Sequence, residues 1–442
     1  MLLPEPYFWS HAGSMFSTLV DYWALTGDET YVSSTQRELL SQVGMTKDYR
    51  PESQSWLPEG QETPFANDGQ TTWALAAMGA VEYGFPYPED GGEAWVTYVK
   101  NVFDILVVHW DIETCGGGLD WQMTTPDTNE YVYKDSYKNT DSNGAFFELA
   151  ARLARYHSES DGEYAEWAGK VWDWLVEVKY VTEDFRVLGG AKANAYHACR
   201  SVDPLQWGHN AAFVISGVAN MYNVVSHPCT CILYLQEWTT NIGIKTNGDE
   251  IWKDRLSGLL NNTFEVFFYS DTNIMWESAC ESQNRCEFVE KMFKGFLARA
   301  LSTTMVLAPF TRDTIMPRLT ASAKAAALQC RGGEMGGGAV CGSLWTQEEV
   351  KHDGFQGLGE HMSSLQVIQG LLVKDGELLM PTSSPSSPSS PSSPTRSNGE
   401  ESGSVTSTDE PDGTATNAAA LTADVGFQKT MSFLAFFTFL LV

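Results

Sequence analysis

The chain has 442 residues, and its 56 acidic residues against 28 basic ones give a formal net charge of −28 at pH 7. This acidity argues against a nucleic-acid partner, because phosphates require a basic protein surface. Hydrophobic residues make up 43% of the sequence and aromatic residues 12%, which predicts a folded protein with a large core.

Apolar residues recur along most of the chain with the 3.6-residue period of amphipathic helices, whereas the alternation typical of strands is scarce. The pattern predicts eleven helices, near residues 11–27, 30–43, 70–84, 93–110, 143–157, 163–179, 207–222, 250–268, 288–307, 313–329 and 356–373. Connections rich in Gly and Asp separate them. We therefore expect an all-α protein, built as a helical barrel or solenoid rather than a small bundle.

One stretch, residues 65–78, places Asn67 and Asp68 directly before an apolar helical pattern. Both residue types are favoured as helix caps, because their side-chain oxygens accept the unpaired N–H groups of the first turn. The positive end of the helix dipole lies at the same place, and we expect it to lower the pKa of Asp68. An ionised carboxylate beside aromatic residues is what a glycosidase nucleophile requires. A plain cap is the alternative interpretation.

The eight cysteines include two pairs that are close in sequence. Cys280 with Cys286, and Cys330 with Cys341, are spaced so that a disulfide would close a short surface loop. An even number of cysteines does not by itself establish these bonds. We treat the two pairs as disulfide candidates.

A second group of cysteines and histidines offers zinc ligands, since thiolate and imidazole are the groups that zinc prefers. This group is His197, Cys199, His227, Cys229 and Cys231. A zinc site would need the thiols reduced, whereas the chain ends described next indicate an oxidising compartment. We therefore expect no metal.

The C-terminal part changes composition in steps. Residues 381–394 are a Pro/Ser repeat, typical of an extended and O-glycosylated stalk, and an acidic Ser/Thr/Gly stretch follows. Small residues beginning at Asn417 then precede a spacer and the apolar segment 431–442. That segment is too short to span a bilayer but follows the pattern of a GPI-attachment signal, with Asn417 as the lipidated residue. The predicted parts are a folded domain over 1–380, a stalk over 381–416 and a GPI signal over 417–442.

The N-terminal residues do not form a signal peptide, because they have neither a basic start nor an apolar run before Pro4 and Pro6. GPI addition requires entry into the secretory pathway, so we expect that the start of the chain is incomplete. Asn261 begins an Asn-Asn-Thr sequon that is consistent with this route, and it is our predicted N-glycosylation site.

Several loops, taken in order, resemble one known family. The motifs are residues 4–9, 21–23, 26–31 and 67–68, Cys115-Gly116-Gly117-Gly118-Leu119-Asp120-Trp121-Gln122, Tyr137-Lys138-Asn139-Thr140-Asp141-Ser142-Asn143-Gly144, and residues 293–299, 341–345 and 357–363. This ordered set is similar to the fungal branch of glycoside hydrolase family 76, the endo-α-1,6-mannanase-like cell-wall proteins. The resemblance covers roughly residues 3 to 370.

The resemblance implies an (α/α)6 barrel, without the first helix if the chain is as short as it stands. It also implies retaining catalysis by two consecutive aspartates, the first a nucleophile and the second a general acid/base, with no metal or organic cofactor. The first aspartate corresponds to Asp68, but the second position is Gly69, which cannot donate a proton. The family's Trp-x-Tyr-Asn-x-Gly stretch also differs here, keeping Trp207 and Asn210 but placing His209 between them.

The residues expected to line the cleft are those whose indole, amide, ammonium or carboxylate groups bind sugars. They are Asn67, Gln70, Trp121, Gln122, Lys138, Asn139, Asn143, Trp207, Asn210 and Glu360. For each of them, taken singly, a structural role is an equal alternative.

Gly69 leaves three outcomes open. Another carboxyl group such as Glu62 or Asp120 supplies the proton, the protein acts only on substrates with good leaving groups, or it binds mannan without cleaving it. The expected function is hydrolysis or transfer at α-1,6-mannosidic bonds by a monomeric, GPI-anchored protein of the fungal cell wall, with mannan or the GPI glycan as its partner. The rivals are a catalytically impaired glycan-binding protein, a purely structural wall protein and a metal-dependent hydrolase.

Overall fold

A computed structural model describes residues 3, 6–50, 66–88, 94–123, 136–157, 162–193, 198–226, 248–332, 339–346, 354 and 357–373. These residues are mainly helical, which confirms the all-α prediction. The helices are α1 Trp9–Thr26, α2 Val32–Ser41, α3 Asn67–Tyr83, α4 Trp95–Val108, α5 Thr140–Tyr156, α6 Glu163–Glu177, α7 Gly208–Ser226, α8 Gly248–Phe267, α9 Phe293–Leu307, α10 Arg312–Leu328 and α11 Leu358–Gln369.

Two small antiparallel sheets of two strands each are also present among the described residues. Strand β1 Tyr137–Asn139 pairs with β2 Gly190–Lys192, with Lys138 opposite Ala191. Strand β3 Cys330–Gly332 pairs with β4 Ala339–Cys341, which places Cys330 opposite Cys341.

The odd-numbered helices form a closed inner ring. Along the ring α1 packs on α3, α3 on α5, α5 on α7, α7 on α9, α9 on α11, and α11 on α1 again. The even-numbered helices α2, α4, α6, α8 and α10 follow them in sequence and lie outside the ring. This is the (α/α)6 barrel that the resemblance implied, although an outer helix between α11 and α1 is not among the described residues.

The residue pattern of each helix explains its place in the barrel. Helix α3 carries Trp, Leu, Met and Ala on most of its sides and is buried over nearly its whole length, as an inner helix must be. Helix α6 instead buries a single stripe that includes Val171, Trp172 and Leu175, and its other side is polar. An apolar stripe on an otherwise polar helix covers a core from outside.

Polar contacts close the ring where its last helix meets its first. Asp21 of α1 accepts hydrogen bonds from Arg299 of α9 and, at 3.0 Å, from the side chain of Gln366 of α11. The hydroxyl of Tyr7, just before α1, accepts the backbone N–H of Leu358 at 2.7 Å. The inner ring is therefore continuous through contacts between its two ends.

Three disulfides are present among the described residues. Cys280–Cys286 and Cys330–Cys341 close the two short loops that were proposed from the spacing. The third bond, Cys115–Cys199, joins positions 84 residues apart and was not expected. It removes Cys199 from the zinc group considered above; His197, His227, Cys229 and Cys231 lie outside the described residues.

Other expectations fall partly outside the described residues. The stalk, Asn417 and the tail lie beyond residue 373, and Glu62 is also outside the described residues. Asn261 is exposed on α8, where its glycosylation stays a prediction. Among the described helices, none combines the length and the apolar character needed to cross a bilayer.

Candidate active site

The starts of neighbouring inner helices meet at one end of the barrel. The carboxyl group of Asp68 in the first turn of α3 interacts electrostatically with that of Asp141 in the first turn of α5. An Asp141 oxygen lies 3.7 Å from Nε2 of His209 at the start of α7, and the His209 ring stacks on Phe293 at the start of α9, with ring centroids 3.7 Å apart. The first turns of four inner helices are therefore neighbours at this end of the barrel.

Asp68 is held between a polar loop and the barrel interior. Its Oδ2 accepts a hydrogen bond from Nε1 of Trp121 at 3.3 Å, while its Oδ1 is buried and has no well-aligned donor among the described residues. The backbone N–H of Gly69 also points to this carboxyl group. Asp68 is thus partly exposed on one side and enclosed on the other.

The prediction of a lowered pKa for Asp68 is wrong. Burial, and next the negative charge of Asp141, raise the pKa of Asp68 well above its usual value, although the N–H groups of Gly69 and Trp121 act in the opposite direction. Desolvation of a carboxylate outweighs a helix dipole, which contributes at most about 2 kcal/mol. A second carboxylate nearby disfavours the ionised form of Asp68, because like charges repel.

The expected helix cap also differs from the structure. Helix α3 begins at Asn67 itself, and the position before it is Ala66, whose side chain caps nothing. Asn67 instead fastens the loop that carries Trp121: its backbone N–H donates to the Trp121 carbonyl at 2.9 Å, and its Nδ2 donates to the Asp120 carbonyl at 2.7 Å. Beside these bonds, Gln122 pairs with Ala66 in an isolated antiparallel β-bridge. Asn67 therefore positions the cleft wall and is buried beneath it.

Trp121 has the exposure expected of a sugar-binding side chain. It is 38% exposed, while its indole N–H contacts the Asp68 carboxylate and its ring meets Tyr137 edge-to-face, with centroids 6.5 Å apart. An exposed indole face next to a carboxylate suits the apolar face of a sugar ring.

Lys138 and Asn143 do not line the cleft, contrary to expectation. Lys138 is fully buried, and its Nζ donates to Asp111 Oδ2 at 3.0 Å and to three backbone carbonyls of the loop over residues 111–117. Asn143 is also fully buried and bonds both the N–H and the carbonyl of Leu119. A buried ammonium group requires several partners, and these partners keep the Trp121 loop in place.

Glu360 does not reach the cleft as a free carboxylate either. It is 3% exposed and forms an ion pair with Lys291, with Nζ 3.0 Å from Oε1. Asn139 has the role of a helix cap, since its side chain accepts the backbone N–H of Ser142 at 3.1 Å. Both residues therefore have structural roles.

Other predicted residues leave polar atoms available at the mouth of the barrel. Among the described residues, the amide of Gln70 and the oxygen of Asn210 are buried without a hydrogen-bond partner, as are Ser142 Oγ and His209 Nδ1. These atoms lie in the first turns of α3, α5 and α7. Because buried polar atoms in proteins are nearly always hydrogen-bonded, they are positions for water or a polar ligand. Trp207 packs edge-to-face on Phe293 beside them.

The space next to Gly69, where another residue would have its side chain, borders the ring of Trp9. A Cβ atom on Gly69 would lie 3.3 Å from Cε3 and 3.4 Å from Cζ3 of Trp9. Trp9 is itself fixed by a hydrogen bond from its Nε1 to Gln42 at 2.9 Å and by packing on Trp73. A Cβ at position 69 would therefore require this ring to shift by a few tenths of an ångström.

Asp141 is the functional candidate that sequence reasoning missed. The helical pattern was taken to begin at residue 143, because the first turn of α5 holds only Thr140, Asp141 and Ser142, which carry no apolar signal. Asp120, one of the carboxyl groups considered, bonds to Ser136, and burial raises its pKa. In the described part of the chain no cluster of three His, Cys, Asp or Glu residues is suited to a metal.

An (α/α)6 barrel with a carboxylate under an exposed indole at one mouth defines a glycoside hydrolase class of protein. A family model agrees, since residues 1–230 and 234–383 match that of glycosyl hydrolase family 76. The chain belongs to this family.

Relatives with known names support the same membership. The chain is 38% identical over 376 residues to the mannan endo-1,6-alpha-mannosidase DFG5 of Saccharomyces cerevisiae, covering 85% of this chain and 73% of the relative. It is 36% identical over 372 residues to the mannan endo-1,6-alpha-mannosidase DCW1 of Candida albicans, covering 83% and 73%.

Solved structures show the same fold. The crystal structure of Dfg5 from Chaetomium thermophilum in complex with glucosamine aligns with a TM-score of 0.69 and 33% identity, covering 84% of each chain. The GH76A alpha-1,6-mannanase of Salegentibacter sp. HEL1_6 aligns at 0.57 with 16% identity, covering 83% of this chain and 90% of the other.

Proposed function

We propose that this chain is a mannan endo-1,6-α-mannosidase-like glycosidase or transglycosidase of the fungal cell wall, acting by retention with Asp68 as the nucleophile. The observation that carries the proposal is the position of Asp68, at the start of an inner helix, hydrogen-bonded to the exposed Trp121. The named fungal relatives, which are mannan endo-1,6-alpha-mannosidases, supply the substrate class.

The chemistry of the cleft supports a neutral polysaccharide as the ligand. Trp121 offers a flat apolar face, and the unpartnered atoms of Gln70 and Asn210 offer hydrogen bonds to hydroxyl groups. A chain with a net charge of −28 repels anionic polymers, whereas mannan carries no charge of the same sign. Mannan or the glycan of a GPI anchor is thus the proposed partner.

The proposed location is the outer face of the cell, in the wall or at the plasma membrane. Three disulfides among the described residues fit an oxidising compartment. The GPI-type tail with Asn417 remains part of this proposal, because it lies outside the described residues.

Turnover of α-1,6-mannotetraose by the secreted protein tests the proposed function. We expect products with retained anomeric configuration, measured by NMR at early times, and we expect Asp68→Asn to abolish their formation. Asp184→Asn is a matched control, because Asp184 forms an exposed ion pair with Arg186. Binding of the tetrasaccharide without turnover would instead establish a glycan-binding protein, and neither binding nor turnover would remove mannan as the ligand.

A further inference from the structure

We infer that Asp141 is the general acid/base of this chain and replaces the aspartate that Gly69 lacks. The inference rests on the proposed function, because it assigns a second carboxyl group to the same retaining site. Asp141 stands on α5, the inner helix next to α3, so the two carboxyl groups come from different helices.

Proximity to Asp68 is the first observation. Asp68 and Asp141 lie in the first turns of α3 and α5, two inner helices that pack on each other, and the two carboxyl groups interact electrostatically. A retaining glycosidase needs two neighbouring carboxyl groups, one ionised for attack and the other protonated for donation.

Accessibility is the second observation. The Asp141 side chain is 28% exposed, whereas Asp68 has a buried oxygen. A general acid must reach the leaving oxygen of the substrate, and the exposed part of the Asp141 side chain meets this requirement. Asp120, the other described carboxyl group at this mouth that was considered for the role, is bonded to Ser136 instead.

The surroundings of Asp141 are the third observation. His209 Nε2 lies 3.7 Å from Oδ2 of Asp141, and His209 is itself one of the positions at which the chain departs from the family pattern. His11 of α1 and Tyr137 of β1 also interact electrostatically with Asp141. Burial lowers the pKa of His11 to about 4, so this ring is neutral at physiological pH and leaves the charge of the pair intact.

The reaction balances with these groups alone. In the first step an oxygen of Asp68 bonds to the anomeric carbon, the glycosidic C–O bond breaks, and the proton of Asp141 passes to the leaving oxygen. The products of this step are a glycosyl ester on Asp68 and an ionised Asp141. In the second step Asp141 takes a proton from water or an acceptor hydroxyl, whose oxygen attacks the anomeric carbon as the ester bond breaks.

The test compares two substrates that differ in their need for an acid. α-1,6-Mannotetraose has a sugar alkoxide as its leaving group, which needs protonation. The 2,4-dinitrophenyl glycoside of α-1,6-mannobiose releases dinitrophenolate, which departs without protonation. We expect Asp141→Asn to lower kcat/KM on the tetrasaccharide by about 10²–10⁴-fold. The rate at which the activated glycoside forms the glycosyl ester should stay within about tenfold of the parent rate. Added azide should then accelerate turnover of the activated glycoside and give an α-mannosyl azide.

Each result has a distinct meaning. An equal loss on both substrates, or no loss on the tetrasaccharide, would overturn the assignment while leaving the proposed function in place. The same leaving-group signature in Asp120→Asn rather than in Asp141→Asn would transfer the role to Asp120. If the parent protein turns over neither substrate, the proposed function fails, and the role of Asp141 fails with it. Thermal melting of each variant and of Asp184→Asn separates these outcomes from misfolding.

Discussion

Restoring the family's aspartate with Gly69→Asp should not increase activity in this chain. A Cβ at position 69 would lie 3.3 Å from the Trp9 ring, so the ring would have to shift by a few tenths of an ångström. Trp9 is 8% exposed and hydrogen-bonded to Gln42, so its movement disturbs a packed region. The new carboxylate would also be adjacent to Asp68 in sequence, and a second negative charge nearby opposes ionisation of Asp68.

The expected size of the effect follows from the packing. Overfilling a packed core costs typically about 1–3 kcal/mol, which lowers the melting temperature of a domain of this size by about 1–4 °C. Gly69→Ala adds the same Cβ without a charge and should show a similar loss. We expect kcat/KM of Gly69→Asp on α-1,6-mannotetraose to be at or below that of the parent.

Differential scanning fluorimetry and initial-rate assays on the parent, Gly69→Ala and Gly69→Asp make this comparison. A gain of more than about tenfold in kcat/KM for Gly69→Asp, with an unchanged melting temperature, would refute the reasoning. It would mean that the parent site lacks an acid and that the Trp9 ring yields easily.

Three further predictions concern the surroundings of the site. Trp121→Phe removes a donor that lowers the pKa of Asp68, so the acidic limb of the pH–rate profile should move to higher pH. Replacing both Cys115 and Cys199 by Ser should lower the free energy of unfolding by about 4.5 kcal/mol, because their bond closes 84 residues. Glu82→Gln should lower it by about 3–5 kcal/mol near pH 7, since a buried ion pair with arginine is broken.

The contribution of Glu82 to the free energy of unfolding should change with pH in one direction. Arginine charges and hydrogen bonds overcome burial and lower the pKa of Glu82 from 4.5 to about 2, so its stabilisation is present above pH 4.5 and is lost as the pH falls towards 2. The difference between parent and Glu82→Gln in urea unfolding should shrink across that interval, and a constant difference would contradict the assignment. For the disulfide, replacing Cys280 and Cys286 is the control; their six-residue separation predicts a loss of only about 2 kcal/mol. Equal losses in the free energy of unfolding for the two cysteine pairs would contradict the loop-length argument. An acidic limb at the same pH in the parent and in Trp121→Phe would contradict the effect of Trp121 on the pKa of Asp68.

Much of the fold was predictable because the 3.6-residue period of apolar residues in amphipathic helices is visible in the sequence. The runs near 163–179 and 250–268 correspond to α6 and α8 within a few residues. Helix starts are less visible, since the first turns of α3 and α5 are polar and carry no period. For this reason the sequence pattern predicts a loop at Asp141, whereas the structure places it in the first turn of α5 near Asp68.

The roles of individual side chains were the least predictable part. Lys138 and Asn143 stand in a polar motif, and nothing in their residue types distinguishes a group that binds sugar from one that binds a backbone carbonyl. Burial decides between these roles, and for Lys138 burial depends on the loop over residues 111–117 packing against β1. The Cys115–Cys199 bond was likewise hidden by an 84-residue separation.

Because Asp68 and Asp141 lie on different helices, the gap between the two carboxyl groups is set by barrel geometry and not by one loop. At the opposite end of the same two helices, Glu82 of α3 binds Arg152 and Arg155 of α5 at 2.7 Å each. That ion-pair cluster is about 21 Å along α3 from Asp68. We expect a substitution there that alters the packing of α5 against α3 to change the separation of the two carboxyl groups and, through it, the reaction rate, although no sugar touches the substituted residue.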